Sequence, residues 1–513
     1  MERLAIMADD PRTIPDLLTA GRDDAPAIGA PGREPLSYGG LRRLVADTAS
    51  SLGALGISRT DRVAIVLANG PEAATAFLAV SAAAATAPLN PAYREDEFAF
   101  YLDDLSARAL IIEEGSDSPA IAVARERGVA VLGLAARPDG PAGVFTLDGG
   151  TAASPAPAAL PTPEDTALVL HTSGTTSRPK MVPLSHANVA ASAHNIARSL
   201  ALTDADHCLN VMPLFHIHGL VAALSASLAA GGQVTCCPGF NALRVFAWMH
   251  ETDPTWYTAV PTMHQAILAR APHNAEVIDK LRLRMVRSSS AALPPTVMAA
   301  LEEAFGAPAI EAYGMTEAAH QMASNPLPPA PRKPGTVGVA AGPEVAVMDE
   351  AGKLVAAGEP GEVVIRGTNV FGGYEANPSA NAEAFTDGWF RTGDQGVIDQ
   401  YGYLTITGRL KEIINRGGEK IAPREVDDTL LGHEAVAQAV TFAVPHPTLG
   451  EDVAAAIVLR EGATASDTDI RGYAGERLAA FKVPRRIVFV DEIPKGPTGK
   501  LRRIGLAETL GLT

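Results

Sequence analysis

The chain has 513 residues, 47% of them hydrophobic and 19% charged, and a formal net charge of −16. Domains usually run about 100 to 200 residues, so this length calls for at least two, and nothing in the composition resembles a disordered or fibrous chain. The negative balance excludes nucleic acid as the expected partner, since that binding rests on Lys and Arg neutralising phosphates; any phosphate ligand must be held locally.

The three cysteines, Cys208, Cys236 and Cys237, lack zinc or disulfide spacing and point to a reducing compartment, the cytoplasm. Residues 1–10 carry Glu2, Asp9 and Asp10 and no basic stretch followed by an apolar run, so no signal peptide is expected, and the final Gly-Leu-Thr is no peroxisomal address. The longest apolar stretches, 73–87 and 220–230, are Ala/Ser-rich and shorter than the roughly 20 residues that span a bilayer. Both read as buried helices, with no membrane partner.

In chain order, residues 36–135 alternate helix-like stretches such as 38–55 with short apolar runs at 63–67 and 109–112, the pattern of α/β layering. Residues 136–165 are rich in Pro, Ala and Gly and read as a loop or lobe boundary. Then 166–171 (TALVLH) predicts a buried strand, 172–180 (TSGTTSRPK) a small-residue loop, and 185–200 a helix that starts at a Ser N-cap. A second α/β stretch runs to about 403. From 408 the sequence becomes basic and turn-rich (GRLKEIINRGGEK). Strand candidates follow at 437–444, 453–459 and 486–490, with a helix at 467–480, so the tail predicts a small α+β domain.

Five segments carry candidate chemistry. Thr172, Ser173, Gly174, Thr175 and Thr176 offer hydroxyls and close-approaching N–H groups with Lys180 just beyond, which suits a polyphosphate, although the spacing is not that of a P-loop. In 311–317 (EAYGMTE), Tyr313 offers a stacking face, Thr316 a hydroxyl, and Glu317 an oxygen ligand for Mg²⁺; a strand end with a surface Glu reads the same way. In 389–394 (WFRTGD), Asp394 follows a tight turn and suits a ribose diol, as well as a purely turn-forming role. The fourth segment is 408–411 (GRLK) and the fifth is 494–500 (PKGPTGK), where a lysine is ordinarily a solvated cation.

Together, in this order, the five segments resemble the adenylate-forming superfamily of acyl-CoA synthetases, amino-acid adenylation domains and firefly-type luciferases. The resemblance covers nearly the whole chain. It implies a large layered α/β N-terminal domain (1–407), a small mobile α+β C-terminal domain (408–513), and a site between them that takes ATP, Mg²⁺, coenzyme A and a small carboxylate. Carried over by position, Thr172 to Thr176 and Lys180 would hold the β- and γ-phosphates, Thr316 the α-phosphate, and Glu317 the Mg²⁺. Asp394 and Arg409 would bind ribose; Ala291, Ala292, Ala312, Tyr313 and Gly314 would frame adenine. Lys500 would bridge the carboxylate and the α-phosphate, and Lys411 would be the hinge. One departure is Met181, where the superfamily carries Gly after the lysine; a need for Gly's backbone freedom would strain the loop.

The resemblance places the acyl pocket in 213–219 (PLFHIHG), 288–293 and the residues after Glu317. These supply His216, His218, Ser288, Ser290 and His320. Each histidine alone reads as a satisfied structural residue; gathered in one pocket they favour a short, doubly charged acid, because an apolar acyl chain would leave them unpaired. A charged imidazole would then hold the acid, and binding should weaken as the histidines lose protons. The strings LHTSGTTSRPK, LFHIHGL, TWYTAVPTMHQ and SNPLP look like those of the oxalate:CoA ligases. The core motifs resemble the malonate ligases less, and the pocket segments show no arginine for a longer second carboxylate. A luciferase-like oxygenase would want an apolar pocket, an amino-acid adenylation module an acidic one, and a catalytically silent nucleotide-binding protein would bind ATP without releasing pyrophosphate.

Overall fold

The computed structural model describes residues 12–148, 160–172, 179–495 and 501–512. Among these residues the strands form four sheets. In the seven-stranded one, Arg62–Val66 lies in parallel between Ala85–Pro88 and Ala109–Glu113; Thr166–Thr172 adds beyond Ala85–Pro88, and Lys180–Ser185 closes that edge antiparallel. The nine-stranded sheet has a parallel centre, in which Trp256–Ala259, Met285–Ser288 and Ala309–Met315 are consecutive neighbours, and His320–Ser324 pairs antiparallel with the last of them. Strands buried on both faces leave little alternation for sequence reading to detect.

Helices arise where the apolar positions recur on one face and a cap is available. Tyr38–Ala54 buries Leu41, Val45, Ala49 and Leu52, and the Ser37 side chain accepts from the Gly40 N–H at its start. His186–Ser199 begins at the predicted serine. The Ser185 hydroxyl accepts from Asn188 N at 3.1 Å while Ser185 N donates to Asn188 Oδ1 at 2.9 Å, so two orphan donors of the first turn are satisfied reciprocally.

Several expectations need correction. The apolar stretch 73–87 is not one helix: Pro71–Ser81 is helical, and Ala85–Pro88 is a fully buried parallel strand whose small residues give no period to separate it from the helix before it. The Pro-rich stretch contains an edge strand, Phe145–Asp148, antiparallel to Ala130–Ala136, with Ala142 and Phe145 buried. The second α/β stretch ends in an antiparallel sheet running from Glu344–Met348 to Leu404–Arg409, whose strands Glu344–Met348 and Gly361–Arg366 are joined by a turn-rich loop rather than a crossover helix.

A 3₁₀ turn, Leu410–Glu412, leads from that sheet to another five-stranded one in the C-terminal domain. There Val436–His446, Gly450–Leu459 and Arg486–Phe489 match the strand candidates, and the helix near 467 is shorter than expected, Asp467–Gly475. The hairpin Ile414–Arg416 and Glu419–Ile421 and the helix Pro423–Leu431 went unread within the basic run and after it. No helix among the described residues is long and apolar enough to cross a membrane.

Ser185→Ala removes the cap of His186–Ser199 and leaves the Asn188 N–H without its acceptor. A loss of about 1 kcal/mol is expected, seen as a fall in melting temperature of roughly 1 to 2 °C. An unchanged melting temperature would mean that the helix is held by packing alone.

Candidate active site

The facing strands Trp389–Ile398 and Leu404–Arg409 set Asp394 and Arg409 directly opposite each other. Arg409 Nε donates to Asp394 Oδ1 at 3.0 Å, and the Tyr313 hydroxyl donates to Asp394 Oδ2 at 2.5 Å. Three residues from three different motifs therefore meet at one carboxylate. Tyr313 stands in Ala309–Met315 beside Ala312 and Gly314, and the loop with Ala291 and Ala292 follows the neighbouring strand Met285–Ser288. Gly314 has no room for a side chain: a Cβ there would lie 1.8 Å from His320 O.

Thr316 opens a 3₁₀ turn, Thr316–Ala318, in which Glu317 is buried. Glu317 Oε1 accepts from the Tyr374 hydroxyl at 2.8 Å, and Lys180 Nζ sits 4.4 Å from the centroid of the Tyr374 ring. Burial raises the Glu317 carboxyl above its usual range, opposed by the Tyr374 hydrogen bond and by Arg409 and Lys180. No group of three or more His, Cys, Asp or Glu side chains among the described residues could hold a metal ion. A cation here would take one carboxylate and draw its other oxygens from a phosphate ligand and water, which fits Mg²⁺ and not a protein-caged metal.

Thr172 and Lys180 are opposite each other at the connected end of their hairpin. Ser173, Gly174, Thr175, Thr176 and Lys500 lie outside the described residues. Met181 does not strain the hairpin. It occupies an extended strand opposite His171, a conformation open to any residue, and its buried side chain receives Arg62 Nη1 at 3.4 Å from Sδ. Lys411 is exposed in the turn between the third and fourth sheets.

The acyl-pocket segments also converge. His218 opens a π-helical segment, His218–Ser225, and Gly219 beside it is obligatory because a Cβ would meet Pro213 O at 2.2 Å. His218 Nδ1 lies 3.0 Å from Ser290 Oγ and Nε2 lies 2.6 Å from Thr258 Oγ1. The His218 and His320 ring centroids are 5.1 Å apart, and His320 Nδ1 is buried without a hydrogen-bond partner. Ser288 is buried and its hydroxyl is likewise unpaired. Ser290, Ala319 and His320 have φ of 72°, 47° and 103°, so three non-glycine residues hold costly backbone conformations around one cluster.

Sequence reading missed Arg287, one residue before the pocket segment. Its guanidinium is fully buried in Met285–Ser288, opposite Thr258 in the adjacent strand. Nη1 lies 3.4 Å from both His218 Nε2 and Thr258 Oγ1, and Nη2 donates to Gln321 Oε1 at 3.2 Å. An arginine inside an otherwise apolar, central parallel strand was the available signal. Its presence also corrects the expected histidine chemistry. Burial lowers His218 well below its ordinary value, helped by His320 and Arg287; burial and then Arg287 do the same to His320. In the unliganded pocket burial therefore opposes the charged form of both rings, against the expectation that charged imidazoles hold the acid.

Residues 19–375 match the AMP-binding enzyme family and residues 425–500 the AMP-binding enzyme C-terminal domain. The chain is 45% identical to an oxalate–CoA ligase of Arabidopsis thaliana over 94% of each chain. It is 41% identical to an oxalate–CoA ligase of Saccharomyces cerevisiae over 88% of this chain and 87% of that one. The crystal structure of ATP-bound MatB from Rhodopseudomonas palustris superposes with a TM-score of 0.88 at 30% identity, covering 97% of this chain and 98% of the other.

Imidazole NMR across pH 5.5 to 8 is expected to show His218 and His320 neutral throughout, because a lowered pKa delays protonation to more acid solution. Titration of either ring near its ordinary value, about 6.5, would contradict the burial seen here.

Proposed function

The chain belongs to the AMP-binding enzyme family, and we propose that it is an ATP-dependent acid:CoA ligase whose acid is oxalate. Adenylation comes first: the acid's carboxylate attacks the α-phosphorus of ATP, pyrophosphate leaves, and an acyl-adenylate remains. The thiol of coenzyme A then displaces AMP. The carboxylate's approach to a polyanion makes charge the central problem of the first step, and cations placed before the reaction lower that barrier without reorganising during it.

In this reading Asp394 and Arg409 hold the ribose, with Tyr313 fixing the Asp394 carboxylate. Ala291, Ala292, Ala312 and Gly314 bound the adenine. Thr316 and Lys180 bind phosphate oxygens together with the loop from Thr172. Glu317 would hold Mg²⁺, which when bound offsets the phosphate charge. Lys500 bridges the carboxylate and the α-phosphate for adenylation. The same space cannot then admit the pantetheine arm, so the C-terminal domain, 408–513, turns about Lys411 to withdraw it. The three buried, unpaired cysteines agree with a reducing, cytoplasmic setting.

The observation that carries the choice of acid is the polar cluster of His218 and His320, both buried, with Ser290 partly buried beside them, where a long acyl chain would need apolar walls. His216 precedes this cluster in the same turn. Oxalate has no carbon chain, so its second carboxylate lies one bond from the reacting one, within the reach of hydroxyl and imidazole groups. The relatives named for oxalate support the same choice.

Carboxylate-dependent pyrophosphate release over oxalate, malonate, acetate, a medium-chain acid and an aromatic acid is expected to favour oxalate. Preference for the medium-chain or aromatic acid would overturn the choice. Lys500→Ala should lower adenylate formation roughly 10²- to 10³-fold, the cost of removing one preorganised charge-stabilising donor. Thioester formation from supplied oxalyl-adenylate should largely survive; equal loss in both half-reactions would remove Lys500 from the bridging role.

A further inference from the structure

A guanidinium taken out of water carries a large desolvation cost, which native proteins offset with a carboxylate or a full set of hydrogen bonds. Arg287 has neither. Its contacts to His218, Thr258 and Gln321 are long, at 3.2 to 3.4 Å, and its buried Nε has no partner. No ion pair to a carboxylate forms with it among the described residues, and burial lowers its guanidinium with only the Cys208 thiol acting in the other direction. The ionisable side chains that act on His218 and His320 are His216, His264, Arg287 and each other, all basic. Among the described residues the pocket thus holds a buried guanidinium that no carboxylate pairs.

The hydrogen bonds give this charge a direction. Gln321 Nε2 donates to Ser199 Oγ at 2.8 Å and to Ala341 O at 3.1 Å, so its carbonyl oxygen must face Arg287. A guanidinium can only donate. Arg287 Nη1 therefore gives a proton to Thr258 Oγ1 and, at the same reach, meets His218 Nε2 as an acceptor. The Thr258 hydroxyl then donates to that same nitrogen across 2.6 Å. With Nε2 accepting, the proton of the neutral ring sits on Nδ1 and is donated to Ser290 Oγ at 3.0 Å. Ser290 keeps its own hydroxyl proton for something else.

We infer that Arg287 is a positioning and specificity-determining residue: through Thr258 and His218 it turns the Ser290 hydroxyl into a donor, and its uncompensated charge selects an acid with a second carboxylate. The inference rests on the oxalate reading above. The second carboxylate of the acid is the counter-ion that the fold leaves out. A monocarboxylate, spent on the reacting end, leaves the cation unneutralised.

The test compares the wild-type protein with Arg287→Met and Arg287→Lys, using oxalate and glycolate, in which a hydroxymethyl group replaces one carboxylate. Arg287→Met is expected to lower kcat/KM for oxalate by roughly 10- to 100-fold, mainly through KM, with KM for ATP unchanged. The oxalate-to-glycolate ratio falls by the same factor, and Arg287→Lys recovers part of it. The ligand-free Arg287→Met protein melts no lower than wild type, because an apolar side chain replaces an unpaired buried charge. In NMR, His218 loses its single tautomer.

Equal loss for both acids, or an unchanged ratio, overturns the inference while leaving the oxalate reading in place. So does a lower melting temperature combined with an unchanged ratio, the mark of a purely structural arginine. Should Arg287→Met fail to fold, Arg287→Lys decides alone: a partial fall in the oxalate-to-glycolate ratio supports the inference, and an unchanged ratio overturns it. A wild-type protein that prefers glycolate overturns the oxalate reading itself.

Discussion

The buried charge of Arg287 is the constraint around which the acyl pocket is organised. A central parallel strand admits a long polar side chain only if its neighbours supply room and acceptors, and Thr258, Gln321 and His218 do so from adjacent elements. They supply no compensating anion. Free energy is thus held in the unliganded pocket, alongside three strained backbone positions at Ser290, Ala319 and His320. Strain and unpaired charge of this kind persist only where the surrounding structure over-determines them and binding repays the cost.

The proposed nucleotide half obeys the opposite logic. Asp394 already has Arg409 and Tyr313 at hydrogen-bond distance, and Glu317 already accepts from Tyr374. These carboxylates are oriented before any ligand arrives, so little ordering entropy remains to be lost on binding. Gly314 and Gly219 each permit a close backbone approach. The first lets Ala309–Met315 pass against His320, and the second lets the His216–His218 turn fold back onto Pro213. At both places the backbones approach more closely than any side chain could tolerate.

Much of this was legible from local chemistry. Ser185 announced a helix start because a serine before an apolar 3.6-residue pattern has a donor to satisfy, and the tail strands announced themselves as apolar runs between turns. Ala85–Pro88 was hidden because small residues in a fully buried strand have no alternating face. The hairpin at Ile414–Ile421 was hidden inside a basic run, since its register is set by Gly417 and Gly418 at positive φ and not by hydrophobic pattern. His218, Ser290 and His320 could be singled out by position within motifs. Arg287 showed only as an arginine within a strand, and its meaning depends on what is absent around it, because an absent counter-ion is a property of three-dimensional packing.

The central claim is that the pocket is completed by a second negative charge. Its most direct test is the melting temperature of the wild-type protein with a non-hydrolysable ATP analogue and equal concentrations of oxalate or glycolate. A ligand at 100 times its dissociation constant stabilises the folded state by about 2.7 kcal/mol. The account predicts a rise of that order with oxalate and a much smaller one with glycolate. Equal rises, or a larger one with glycolate, would contradict it.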